Sequence, residues 1–152
     1  MNKWILLVAT ILFSYSIAFG ANDFLEHEKD NPADLVAGVD AWSKGNYILT
    51  HDLLKPLSIE GNSVAQYIIG LMYFRGKVVE KDYKQSIKLM NLSAEQGYVE
   101  AQFNLGMMYA DGQGVAKDYA EAIKWLKLAA EQKFEAAQFK LKLMHLNQNI
   151  LN

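Results

Sequence analysis

The sequence predicts an all-α solenoid of stacked helix pairs, about three and a half repeats long. Three observations predict it. The chain matches itself when shifted by about 36 residues. Each repeated unit reads as two segments with apolar residues at helical spacing. Glycine-containing breaks fall at matching places between those segments.

The chain opens on a different kind of segment. Met1-Asn2-Lys3 carries one basic side chain, Trp4 to Phe13 is apolar except for Thr10, and Ala18-Phe19-Gly20 ends the stretch on small residues. This is the order of a secretory signal peptide. Its apolar core is about ten residues, half of what a spanning helix needs. Residues 1–20 are therefore expected to be a signal cleaved near Gly20, leaving no stable membrane anchor; an uncleaved N-terminal anchor is the alternative. The expected compartment is the periplasm or the exterior. Residues 21–32 follow as an acidic lead segment.

The repeat region comes next. Ala65, Gln66, Gly70, Met72, Tyr73, Gly76, Lys81, Asp82, Tyr83, Ile87, Ala94, Glu95 and Gln96 recur as Ala101, Gln102, Gly106, Met108, Tyr109, Gly112, Lys117, Asp118, Tyr119, Ile123, Ala130, Glu131 and Gln132. A weaker echo continues at Ala137, Gln138, Phe139, Leu141 and Met144. The units are approximately 33–61, 62–97 and 98–133, with a closing helix at 134–149. The repeat domain spans 33–149.

Within each unit the helix boundaries have local causes. Asn31 as cap and Pro32 at the first helical position start the first helix. Asp82 and Asp118 sit where N-caps are wanted. Gly97 is a natural left-handed C-terminal residue. Lys133 replaces it in the next unit, where a left-handed residue with a Cβ costs roughly 1 kcal/mol, so that turn is expected to differ. Val78 replaces Gly114, so those two loops are also expected to differ. The first unit has a shorter loop between its helices, and Pro56 falls inside its second helix, removing one ladder donor. Gly70 and Gly106 let a neighbouring helix approach, as do Ala94 and Ala130. Tyr73, Tyr83, Tyr109 and Tyr119 read as core residues with their hydroxyls on backbone groups.

The pattern Ala-Gln-Phe-x-Leu-Gly-x-Met-Tyr-x-x-Gly-x-Gly-Val-x-x-Asp-Tyr-x-x-Ala-x-x-Trp-Leu-x-x-Ala-Ala-Glu-Gln over residues 101–132 resembles the Sel-one-like repeat, a relative of the tetratricopeptide repeat. The resemblance implies antiparallel helix pairs stacked into an α/α superhelix. It also implies a protein-interaction scaffold rather than an enzyme.

One column of residues invites a functional reading. With Leu105 and Tyr109 taken as the core face, Phe103, Met107 and Ala110 lie on the opposite side of the helix. Their copies are Tyr67, Leu71 and Phe74 before, and Phe139, Leu143 and Leu146 after. First helices are thus apolar nearly all round, which means burial on both sides or a groove. The candidate partner-binding residues are Tyr67, Leu71, Phe74, Phe103, Met107, Phe139 and Leu143. In the related architecture these line a concave face that holds a peptide or protein. The bland alternative, inter-unit packing of the aromatic column, stands beside it.

Other chemistry is missing from the sequence. There is no cysteine, which excludes disulfides, thiolate metal sites and a thiol nucleophile. A formal charge of −2 argues against a nucleic-acid footprint. His27, His51 and His145 share no metal-ligand spacing. No catalytic residue, metal or cofactor is expected. Exposed solenoid ends favour self-association. The alternative functions are a cell-envelope, peptidoglycan-related factor or a host-directed effector.

Overall fold

The computed structural model describes the backbone of residues 32–150 and the side chains of 32–146. The expected signal peptide, the acidic lead segment apart from Pro32, Asn31 and His27 lie outside the described residues. Seven helices make up the described region: α1 Pro32–Ser43, α2 Tyr47–Glu60, α3 Ser63–Arg75, α4 Tyr83–Glu95, α5 Val99–Asp111, α6 Tyr119–Glu131 and α7 Glu135–Ile150. Each helix packs against the next in sequence. The fold is all-α, built of consecutive helix pairs.

Short polar side chains set the helix starts. Asn46 accepts from the Leu49 N–H at 3.3 Å, Asn62 from Ala65 at 3.0 Å and Asp82 from Gln85 at 3.0 Å. Asp118 accepts from both Ala120 and Glu121, at 2.9 and 3.0 Å. Such caps satisfy N–H groups that have no helical partner. Pro32 opens α1, and α2 runs through Pro56 without ending.

The core is a row of three apolar clusters. Leu54, Leu57, Ile69 and Met72 join α2 to α3; Leu71, Met90, Leu105, Met108 and Trp125 join α3, α4, α5 and α6; Ala110, Ala122, Leu126, Ala137 and Met144 close the row on α7. Leu54, Ile69, Leu105 and Leu126 are fully buried, each contributing roughly 1.5–3 kcal/mol of transfer free energy.

Two expected differences between units do not occur. Val78 has φ +66°, beside +76° at Gly114. Both loops close with the same bonds: Lys77 N–H to Met72 O and Asp82 N–H to Tyr73 O, matched by Gln113 to Met108 and Asp118 to Tyr109, all at 3.0 Å. Lys133 likewise takes φ +65° and repeats the turn at Gly97. Two loop hydrogen bonds outweigh one left-handed residue. Room decides where a side chain is allowed. A Cβ on Gly114 would sit 2.7 Å from the Tyr83 Cβ, whereas Val78 is 54% exposed. A β-branched residue in this region costs roughly 1–2 kcal/mol. Val78→Gly is therefore expected to raise stability by about 1 kcal/mol in chemical denaturation, after the extra chain entropy of glycine is subtracted. Unchanged stability would mean that the strain is relieved locally.

The tyrosines divide. Tyr73 and Tyr109 are half-buried, but Tyr83 and Tyr119 are exposed, because each opens its second helix on the outer edge. The Tyr73 hydroxyl meets Lys55 Nζ at 3.5 Å rather than a backbone group.

Candidate functional site

The repeated glutamines form a ladder that crosses the unit boundaries. Gln66 and Gln102 are buried, each with its amide N–H₂ on the last turns of the preceding second helix, at Ser58 O (3.4 Å) and Ala94 O (3.1 Å). Each also accepts from the glutamine at the end of its own unit: Gln96 on Gln66 at 2.7 Å, Gln132 on Gln102 at 2.8 Å. Gln138 keeps the first contact, with Ala130 O at 3.2 Å. These bonds add a second donor to helix-end carbonyls that already accept the turn N–H of Gly61, Gly97 or Lys133, and they tie α3, α5 and α7 to the ends of the preceding second helices.

On that frame the candidate residues fall at different places. Leu71, Phe74 and Met107 come together in one cleft of about 140 Å³. Arg75, Met90, Asn104, Met108 and Gln113 complete its lining. Leu71 is nearly buried, while Phe74 and Met107 are half-buried. Phe74 packs edge-on against Tyr83, centroids 5.4 Å apart. Tyr67 stands beside this cleft. Its hydroxyl accepts from Asn104 Nδ2 at 2.8 Å, and its ring lies 5.1 Å from that of Tyr98.

Phe103 repeats the Tyr67 arrangement one unit on, with its ring 5.2 Å from Phe134. The aromatic of each unit thus meets the aromatic that introduces the next. Phe139 and Leu143 are 65% and 41% exposed on α7, where the described chain supplies no further unit. The candidate column is continuous in sequence but graded in exposure. Its early members are packed between units, Met107 borders a cleft, and its last members face outward.

Electrostatics around Tyr67 are asymmetric. Burial, then the Glu100 carboxylate, raises the Tyr67 hydroxyl, while Asn104 and Arg75 act in the opposite sense. Burial and the same Glu100 push Tyr98 up to about 12. A negative and a positive charge therefore both act on the Tyr67 hydroxyl.

The polar lining does not follow from the repeat pattern. Asn104 stands where the preceding unit has the buried Ile68, and Arg75 stands where the following unit has Asp111. Breaks in an otherwise repeated column were the available signal. Among the described residues no cluster of His, Cys, Asp and Glu could hold a metal, and no helix is long and apolar enough to cross a membrane.

Comparison with known proteins agrees with this geometry. The Sel1 repeat pattern matches residues 63–98 and 99–134, one residue later than the unit bounds read from the sequence. The structure is similar to a Sel1 repeat protein from Oxalobacter formigenes, with TM-score 0.66, 34% identity, and coverage of 70% of this chain and 43% of that one. It is also similar to a protective antigen present in uropathogenic Escherichia coli strains that displays an SLR fold, with TM-score 0.66, 35% identity, and coverage of 72% of this chain and 24% of that one. The chain spans less than half the length of either. No curated protein matches it.

Proposed function

From a chain that belongs to the Sel1 repeat family, we propose an exported, non-enzymatic adaptor that binds a protein or peptide on the side where α3 and α5 meet. Sel1 repeat proteins are generally protein-interaction scaffolds on a non-catalytic fold. The observation that carries the reading for this chain is the cleft between Leu71, Phe74 and Met107. It offers apolar surface with polar groups at its rim, the arrangement of a recognition pocket.

Met107 is the position to test. It borders the cleft and is only half-buried, so a charge there disturbs binding more than folding. Crosslinking capture from the native compartment is expected to lose its specific partner with Met107→Asp, while the unfolding midpoint moves by less than about 1 kcal/mol equivalent. Equal capture by the variant and wild type would remove the cleft from the binding surface.

Export rests on the order of charge, apolar core and small residues in 1–20. Fractionation of cells carrying a C-terminal tag checks it: a cytoplasmic, full-length chain refutes export. The likeness to a protective antigen supports a second reading, in which the exported chain acts on a host. Tagged protein in the culture medium is the outcome that this second reading requires.

A further inference from the structure

We infer that the cleft between α3 and α5 takes an apolar side chain from an acidic peptide segment, whose carboxylates pair with Arg75 and the lysines beside it. This rests on the cleft being the binding surface and adds the chemistry of the partner.

Charge is the first support. Among the described residues Arg75 makes no ion pair. Its guanidinium lies 5.6 Å from the centre of the Trp42 ring. Lys77 lies 5.2 Å from Tyr47 and Lys81 4.7 Å from Tyr83. Three cations are thus laid against three rings along the edge formed by the α1–α2 and α3–α4 loops. The rings restrict these side chains in advance, so less freedom is lost when an anion arrives. Nearby acids are largely committed. Asp40 pairs with Lys44 at 2.6 Å, and Asp82 caps α4 through Gln85; Glu80 remains. The matching edge of the next unit has Asp111, Gln113, Lys117 and Asp118 and carries no such excess. A chain of formal charge −2 therefore gathers positive charge at one place, next to the cleft.

The second support is Val78. It is exposed, apolar and held at φ +66° on the same cationic edge, where the equivalent residue is glycine. Backbone strain of this kind clusters at ligand clamps and switch regions.

The test uses the purified chain and dye-labelled synthetic hexapeptides, read by fluorescence anisotropy. An acidic probe, Asp-Glu-Leu-Phe-Asp-Glu, is compared with one carrying Asn and Gln at the charged places and one carrying Lys and Arg. The acidic probe is expected to bind about tenfold tighter than the neutral one, by an amount that shrinks with added salt. Arg75→Ala should remove that preference at an unchanged unfolding midpoint, and Met107→Ala, which adds no charge, should weaken the acidic and neutral probes alike. Equal binding of the three probes, or an acidic preference that survives Arg75→Ala, overturns the inference. If Met107 governs partner capture but the probes show no charge preference, the cleft stands as binding surface and the acidic partner falls. If the preference depends on Arg75 while the Met107 variant binds every probe as tightly as wild type, the cationic edge acts without the cleft, which overturns the inference as stated. Tighter binding of labelled oligothymidylate, or a dimer that the acidic probe does not disperse, assigns the edge to a nucleic acid or a second copy instead.

Discussion

Replacing Phe103 by Asp is expected to destabilise the chain by about 3–5 kcal/mol, enough to remove most of the cooperative transition of a marginally stable domain. The ring packs into the cluster that joins α5 to α7 and sits 5.2 Å from Phe134. Asp deletes those contacts and sets a carboxylate among apolar neighbours. The comparison is Phe139→Asp. It occupies the same column one unit later, but at 65% exposure it should cost no more than about 0.5 kcal/mol. Urea denaturation of the two variants side by side is the measurement. If Phe103→Asp proves as mild as Phe139→Asp, the column is surface throughout and Phe103 becomes a binding residue. If the asymmetry holds, partner-binding assays belong at Met107, where loss of binding is not confused with loss of fold.

Gly106→Ala should cost about 1–3 kcal/mol. A Cβ there would lie 2.8 Å from Leu126 Cγ and 3.1 Å from both Ala122 O and Leu126 Cδ2. The carbonyl belongs to a helix and cannot retreat without moving α6, and Leu126 is fully buried. At Gly70, the matching position, the nearest atoms are Leu89 Cβ, Met90 Cε and Ser86 O, all at 3.4 Å. A methyl group fits there, and the higher helix propensity of alanine adds up to about 1 kcal/mol. Gly70→Ala is expected to be neutral or stabilising. Thermal unfolding that shows equal losses at both sites would refute the difference in helix approach. Lys142 occupies the third copy of this position, and its side chain is exposed.

Much of this architecture was legible from periodicity. The recurrence of Gly70, Asp82 and Ala94 at Gly106, Asp118 and Ala130 places the helices, their caps and their close contacts. The loops at Val78 and Lys133 depart from their sequence expectation for a definite reason. Intrinsic preference alone predicts a different turn, whereas the loop hydrogen bonds around those residues, fixed by the flanking helices, decide the conformation. Tyr83 and Tyr119 look like core residues by type, and only their place at the outer start of α4 and α6 exposes them. The glutamines are visible as repeats but silent about their role, because their partners lie across a turn, 8 residues back, or on the far side of the unit, 30 residues on. The cleft was half legible. Its apolar residues followed from the column, while Arg75 and Asn104 appear only as departures from it.

The glutamine ladder has a mechanical consequence. Each tie clamps a first helix to the end of the preceding second helix, so the rise from unit to unit is set by short polar struts and not by soft apolar contact alone. Such an array resists twisting and stretching at its joints, much as a ruler keeps its gradations. A partner that engages two neighbouring units would then be measured by length as well as by chemistry. Cutting one strut, as in Gln102→Ala, would leave every helix standing and blur the scale.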